Sequence, residues 1–134
     1  MSILSRLSII FALLMACVTA HAQKDGSYDV FVPISKYITK GNADALSAWF
    51  DDTLEITVLS KGGDASRPQA RQIIKAFFES YTPRSFTITH KAGRPNMKYA
   101  LADLSAGGEM FHVTIFVACR KGSYRIQQLT IERL

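Results

Sequence analysis

The strict alternation of apolar side chains in residues 111–119 is the feature that most limits how this chain can fold. Every odd position of that stretch is apolar, from Phe111 to Cys119, while the even positions include His112 and Thr114. Successive side chains of a strand point to opposite faces of a sheet. The pattern therefore predicts a strand in a sheet that is covered on one side.

A partner strand is predicted over residues 97–104, joined to the first through Gly107-Gly108. Two glycines suit the left-handed backbone of a two-residue hairpin turn. This register places the small side chains of Ala100 and Ala102 on the covered face, which leaves room for a helix to pack closely. The predicted partners are Leu104 with Phe111, Asp103 with His112, Leu101 with Thr114, and Tyr99 with Phe116.

Residues 66–81 carry the pattern of an amphipathic helix. Ser66 and Gln69 have the spacing of a capping box, and Pro68 lies in the first turn, where its missing N–H costs nothing. Thr82-Pro83 ends the helix, because the residue before proline avoids helical backbone. The apolar positions follow a helical period that buries one face: they are Ala70, Ile73, Ile74, Phe77, Phe78 and Tyr81.

The other elements are less sharply defined. A first helix is predicted over residues 29–41, with Asp29 as its N-cap and Gly41 at its end, followed by a short helix that Asn42 caps and that carries Leu46, Trp49 and Phe50. The register of the last strand stays open, because a slip of one residue reverses every side chain. Strands are predicted over residues 53–59, 86–91 and 124–133, with a loop at residues 61–65. This order of elements predicts an α+β domain with helices on one face of a mainly antiparallel sheet.

Residues 1–22 have the composition of a signal peptide. Arg6 provides positive charge, an apolar run follows, and Ala20-His21-Ala22 offers small residues for cleavage. Periplasmic or secreted location after cleavage is expected, and the alternative is a lipoprotein anchored through Cys17. Residues 23–134 then form one domain without a membrane-spanning segment. Its single cysteine, Cys119, excludes an intramolecular disulfide and is expected to be a buried thiol.

The charge of the chain is moderately basic, with 16 Lys and Arg against 11 Asp and Glu. Loss of Arg6 with the signal peptide would leave a small positive excess that is spread along the sequence. Nucleic-acid binding normally shows a denser basic stripe interleaved with aromatic residues. Ordinary solvation of the surface is therefore the expected role of these charges, and no nucleic-acid partner is predicted.

Four segments, FVPISKYITKGNADALSAWF, KAFFESYTPRSFTITHKAG, GGEMFHVTIFV and YRIQQLTIE, resemble short secreted bacterial proteins of a domain-of-unknown-function family. The resemblance covers nearly all of residues 23–134. It implies the α+β, cone-shaped fold of nuclear transport factor 2, also called cystatin-like, in which N-terminal helices accompany a curved sheet that wraps a long helix. It implies no activity, no cofactor and no catalytic residues.

Two groups of polar residues are candidates for catalysis. Asp103 and His112 face each other in the predicted hairpin, so the carboxylate could orient the imidazole as a general base. His90 could line a cavity together with Glu55, Tyr99 and Tyr124, although exposed or structural roles are the simpler explanation for all of them. The histidines lack metal-ligand spacing, and a single cysteine cannot build a zinc site. No metal or cofactor is predicted.

The second face of the hairpin is the candidate ligand pocket or interface. Either a helix or another subunit covers it, or it is an exposed amphipathic surface, and an exposed apolar patch there would suggest a partner. The leading hypothesis is an exported, non-catalytic domain that binds a small apolar molecule or a peptide, or that associates with a protein, including a homodimer through the sheet face. The alternative is a small isomerase, dehydratase or hydrolase with His112 or His90 as base. The candidate contact residues are Tyr99, Met110, Thr114, Phe116 and Trp49.

Overall fold

The computed structural model describes residues 29–134, so the predicted signal peptide and Cys17 lie outside the described residues. Within that range, two helices are followed by two strands, a third helix and four further strands. The helices are α1 (Phe31–Lys40), α2 (Ala43–Ser47) and α3 (Arg67–Ser80). The strands are β1 (Phe50–Val58), β2 (Lys61–Ser66), β3 (Pro83–Arg94), β4 (Met97–Ala106), β5 (Glu109–Arg120) and β6 (Ser123–Arg133).

The strands form one sheet in the order β2-β1-β6-β5-β4-β3. All neighbouring pairs are antiparallel except β1 and β6, which run parallel. The predicted hairpin register is confirmed: Asp103 faces His112, Tyr99 faces Phe116, and Gly107-Gly108 forms the turn with positive φ at both residues. The predicted α+β order, with helices before and between strands, is confirmed as well.

Capping side chains fix where the helices begin. At α3, the Ser66 hydroxyl accepts from the backbone N–H of Gln69, and the Gln69 side chain accepts from the backbone N–H of Ser66, which is the predicted capping box. Asn42 Oδ1 accepts from Ala45 N at α2. At α1 the N-cap is Val30 rather than the predicted Asp29, although Asp29 Oδ1 accepts from the backbone N–H of Phe31. These bonds satisfy N–H groups that lack intrahelical partners.

The core lies between α3 and the covered face of the sheet. Ile74, Phe77 and Phe78 are buried, and Ile73 packs against them at the edge. The Phe77 and Phe111 rings meet edge to face with centroids 5.2 Å apart, which is a favoured geometry for aromatic pairs. The apolar face of α3 thus packs against the buried odd positions of β5, from Phe111 to Val117.

Three further predictions, on a loop, on the end of a helix and on the burial of a cysteine, are wrong. Residues 61–65 belong to strand β2 rather than to a loop, because Leu59 and Ser60 adopt positive φ and turn the chain back onto β1. Trp49 and Phe50 lie beyond α2, and Phe50 begins β1. Cys119 is half-buried rather than buried, since the alternation ends near the tip of β5.

The register of β6 shows why the sequence left it open. Its buried residues are Ile126, Leu129 and Ile131, so the alternation is interrupted between Ile126 and Leu129. The pairing with β5 shifts by one residue between Phe116 and Val117. A bulge places two residues opposite one and breaks the period of two from which a register can be read.

Candidate functional site

The uncovered side of the sheet carries most of the predicted site residues and is called here the outer face. It consists of the half-exposed or exposed side chains that alternate with the buried positions of β4 and β5. The helices pack on the opposite side, so within residues 29–134 no helix covers these side chains. The outer face comprises Tyr99, Leu101 and Asp103 of β4, and Met110, His112, Thr114 and Phe116 of β5.

Asp103 and His112 meet at one end of the outer face. His112 Nδ1 lies 3.7 Å from Asp103 Oδ1, and the two side chains are 41% and 39% exposed. Glu132 of β6 is the neighbour of His112 on its other side. The imidazole therefore lies between two carboxylate-bearing strands on an open surface. Catalysis by this pair stays a prediction.

Three aromatic rings form a row across β3, β4 and β5. Tyr99 Oη lies 3.4 Å from His90 Nε2, and the centroids of their rings are 5.8 Å apart. Tyr99 stacks on Phe116 with centroids 5.4 Å apart. Cross-strand aromatic pairs of this kind stabilise a sheet. The row gives the outer face an apolar centre.

The other predicted site residues lie elsewhere. Tyr124 Oη donates to Pro95 O between two hairpin tips, and Glu55 is exposed on β1, opposite Gln128. Trp49 is half-buried against the core at the start of β1. The prediction that His90, Glu55, Tyr99 and Tyr124 line one cavity is wrong for two of them. Glu55 lies on β1, which β6, β5 and β4 separate from β3, and Tyr124 pairs with Cys119 on the covered face, opposite to the face of Tyr99.

An apolar groove opens between α3 and the β1–β2 hairpin, on the helical side of the sheet. Its volume is about 380 Å³. The sequence did not indicate it, because one wall is formed by the β1–β2 turn and by β2, whose residues lack the pattern of a strand. The groove is lined by Val58, Leu59, Lys61, Gly62, Ile73, Ala76, Phe77, Ser80 and Tyr81.

Two carboxylates have lowered pKa values: Asp51 near the start of β1 and Asp29 just before α1. Burial raises the pKa of Asp51, but hydrogen bonds from Asp52 N and Gln127 and the charges of Arg120 and Arg125 outweigh it, so the pKa lies below its usual range. Burial also raises the pKa of Asp29, while Lys91 and the backbone N–H of Phe31 lower it further than burial raises it. Both carboxylates are therefore ionised among basic neighbours.

In the described part of the chain, residues 29–134, no group of three or more His, Cys, Asp or Glu side chains lies close enough to hold a metal ion. No helix of that range has the length and hydrophobicity needed to cross a membrane.

The residues that reasoning from sequence missed belong to β6. Glu132 lies beside His112, Thr130 beside Thr114, and Gln128 beside Phe116. Their alternation is obscured by the bulge, so only the hydrophobic spacing from Leu129 to Ile131 could have hinted at their common face. They extend the polar border of the outer face onto a third strand.

Comparison with known proteins gives a family and a fold. Residues 31–132 match the family model described as "Domain of unknown function (DUF4783)". A DUF4783 protein of Bacteroides uniformis is 22% identical, with 79% of this chain and 98% of that chain covered and a TM-score of 0.76. One from Bacteroides fragilis is 21% identical, with 79% and 100% covered and a TM-score of 0.74.

An NTF2-like protein of unknown function from Silicibacter pomeroyi is 16% identical, with 92% of this chain and 98% of that chain covered and a TM-score of 0.57. At this identity the likeness concerns the fold alone, which is the NTF2-like α+β fold that the resemblance implied. No curated protein shows significant similarity to the chain.

Proposed function

Because this chain belongs to the DUF4783 family and has the NTF2-like α+β fold, we propose that it is an exported, non-catalytic binding domain that associates with a second copy of itself through the outer face. The observation that carries the proposal is the row of His90, Tyr99 and Phe116 on a sheet face that no helix within residues 29–134 covers.

The composition of the outer face supports an interface. Its centre combines Tyr99 and Phe116 with Leu101, all half-buried in the single chain, and Met110 is 47% exposed at its margin. Interfaces place aromatic residues and methionine at their centre and charged residues at their border. Asp103, His112 and Glu132 provide such a border at one end.

A pairing of identical faces suits this arrangement. In a twofold dimer each patch contacts its own copy, so the aromatic row of one chain can pack on that of the other. The helical side of the sheet is already filled by side chains such as Phe77, Phe78 and Ile74. The outer face is thus the side on which further burial of apolar area would stabilise the molecule.

Native mass spectrometry of the chain purified from the cell envelope tests the proposal. We expect a dimer for the wild type and a monomer for Phe116→Glu, because a carboxylate at the centre of the face would lose its hydration on association. Val32→Glu is the matched control, since Val32 is 65% exposed on α1, away from the outer face. A monomeric wild type, or equal dimers in all three proteins, would contradict the proposal.

The groove beside α3 favours a second function, the binding of a small apolar molecule. It has a volume of about 380 Å³, within the range of ligand sites, and Val58, Ile73 and Phe77 form much of its wall. The same mass spectra would report a retained ligand as an added mass. Loss of that added mass in Ala76→Trp, which narrows the groove, would assign the ligand to it rather than to the outer face.

A further inference from the structure

Six cationic side chains that are dispersed in the sequence come together at one end of the sheet. The tip of the β3–β4 hairpin and the tip of the β5–β6 hairpin lie side by side, because Met97 pairs with Ala118 and Cys119 N donates to Asn96 O. We call this end of the sheet the basic end. Its cations are Lys91, Arg94, Lys98, Arg120, Lys121 and Arg125.

Few carboxylates balance these charges. Lys91 pairs with Asp29, and Arg120 Nη1 lies 3.4 Å from Asp51 Oδ2. Among residues 29–134, no carboxylate forms an ion pair with Arg94, Lys98, Lys121 or Arg125. At the opposite end of the sheet, Asp103, Glu109 and Glu132 are accompanied by Arg84 and by Arg133, whose Nε lies 3.2 Å from Glu109 Oε1. A clear excess of cations is therefore found at the basic end and not at the opposite end.

Hydrogen bonds and a cation–π contact connect the segments of the basic end, and several of its cationic groups remain exposed to solvent. Tyr124 Oη donates to Pro95 O at 2.7 Å, and Lys98 Nζ lies 5.1 Å from the centroid of the Tyr124 ring. Arg125 Nη1 donates to Ala48 O at 2.7 Å. Arg94, Arg120 and Lys121 are exposed. These contacts connect the two hairpin tips with each other and with the residues that precede β1.

Exposed apolar side chains accompany the charges. Met97, between Arg94 and Lys98 at the β3–β4 tip, is 54% exposed. Val32, in the first turn of α1, is 65% exposed and adjoins Phe31, which lies together with Lys91 and Lys98. A mixture of cations and protruding apolar groups is typical of surfaces that bind at the boundary between water and lipid.

The point at which the chain enters the domain also lies here. Residues 1–28 join the domain at Asp29, whose carboxylate contacts Lys91 Nζ. If Cys17 carries a lipid, the twelve residues from Cys17 to Asp29 reach at most about 40 Å. Such a tether would start at the basic end, which is compatible with contact between that end and the membrane.

We propose that the basic end is a docking surface for the anionic phospholipid headgroups of a membrane. Each Lys or Arg close to such a surface adds attraction, and the attraction falls with rising salt. The cations are spread over an open surface rather than gathered around one cavity, which suits many headgroups better than a single phosphate ion. This role is independent of association through the outer face.

Vesicle flotation tests the proposal on the full chain, as the cell processes it. We expect binding to phosphatidylcholine vesicles that contain phosphatidylglycerol, weaker binding to phosphatidylcholine alone, and loss of the difference at high salt. A Cys17→Ala chain should keep the preference, because it depends on charge and not on a lipid anchor. Equal binding to both vesicles would overturn the proposal.

Two double variants with the same net charge provide the sharper comparison. Arg94→Gln with Lys121→Gln should weaken binding to the anionic vesicles at least tenfold, the effect expected for roughly two lost surface cations. Lys61→Gln with Lys75→Gln, on exposed positions of β2 and α3, should leave it within about twofold. Circular dichroism and the oligomeric mass should be unchanged in both.

Equal weakening by the two double variants would contradict a localised surface, since only total charge would then matter. Binding to heparin or DNA without preference for anionic vesicles would also overturn the membrane assignment and would indicate a soluble polyanion instead. Either result leaves the dimer proposal unaffected, because that proposal is tested at Phe116, on the outer face.

Discussion

At the scale of single residues, Asp51 is the carboxylate on which distant parts of the chain converge. Its side chain is 14% exposed, accepts from Asp52 N at 2.8 Å and from Gln127 Nε2, and lies 3.4 Å from Arg120 Nη1. These contacts join the start of β1 to the end of β5 and the first half of β6. The ionised form of Asp51 therefore links three strands of the sheet.

Replacement of Asp51 by Asn should reduce both stability and its dependence on pH. The pKa of Asp51 is lower in the folded than in the unfolded chain, so its contribution is present above about pH 4 and is lost as the pH falls through the folded value. We expect a loss of about 1–2 kcal/mol at neutral pH. Urea unfolding measures this dependence: the free energy of unfolding should change less between neutral pH and about pH 3 in the variant than in the wild type.

Asp52→Asn is the control for that measurement. The Asp52 side chain is 92% exposed, and its ion pair with Arg67 lies on the surface. Such pairs contribute about 0–1 kcal/mol. If Asp52→Asn lowers stability as much as Asp51→Asn does, the role given to Asp51 is wrong.

Some side-chain contacts could be predicted from the sequence, whereas others could not. The opposition of Asp103 and His112 was predictable, because Gly107-Gly108 sets the register within one hairpin. The partners of Asp51 were not, since Gln127 is the extra residue of the bulge in the pairing of β5 and β6. A contact is accessible from sequence when few residues and an ordinary turn separate its members.

At the scale of elements, the β1–β2 hairpin depends on backbone that ordinary side chains do not tolerate. Gly62 and Gly63 of β2 have φ of 141° and 146°. A Cβ on Gly62 would lie 2.0 Å from Ile56 O of β1, whereas a Cβ on Gly63 would have no atom within 4 Å. The first glycine is thus required by both conformation and space, the second by conformation alone.

Gly62→Ala should therefore destabilise the domain more than Gly63→Ala. Strained backbone of this kind costs about 1–3 kcal/mol, which both variants share. The clash with Ile56 O adds to it in Gly62→Ala alone, and we expect a further loss of at least about 1 kcal/mol, as in overpacked sites. Urea unfolding of the two variants measures the difference. Equal stabilities would show that β2 moves away from β1 at little cost.

The elements that were predicted correctly have strong local signals. The α3 helix has a capping box and a continuous apolar stripe, so its position follows from residues close in sequence. The β2 strand has neither alternation nor large side chains, and its turn at Leu59-Ser60 lacks the usual Asn-Gly. Its strand conformation comes from pairing with β1 and from the backbone that Gly62 and Gly63 allow, not from a hydrophobic pattern.

At the scale of the whole molecule, the proposed dimer should link stability to protein concentration. Association of folded chains stabilises them by mass action. For a domain of this size, a tenfold rise in concentration should raise the Tm by about 3 °C. Calorimetry across a range of concentrations should show this rise for the wild type and for Val32→Glu, but not for Phe116→Glu.

A Tm that does not change with concentration in the wild type would contradict association through the outer face. The architecture itself was accessible from the sequence, because it follows from the order of helices and strands. The surfaces were not. The basic end and the groove depend on which hairpin tips and edges become neighbours, and that is decided by the position of β6 between β1 and β5.

The central position of β6 also has a consequence for how the chain folds. The sheet cannot close until its last strand pairs with β1, which precedes it by more than half of the described sequence. Such distant contacts form slowly. A chain that crosses a membrane as an extended thread would therefore complete its fold only after the C-terminal residues have passed through. If the chain is exported, as we propose, the late pairing of β6 with β1 would delay completion of the sheet until the C-terminal residues have crossed the membrane.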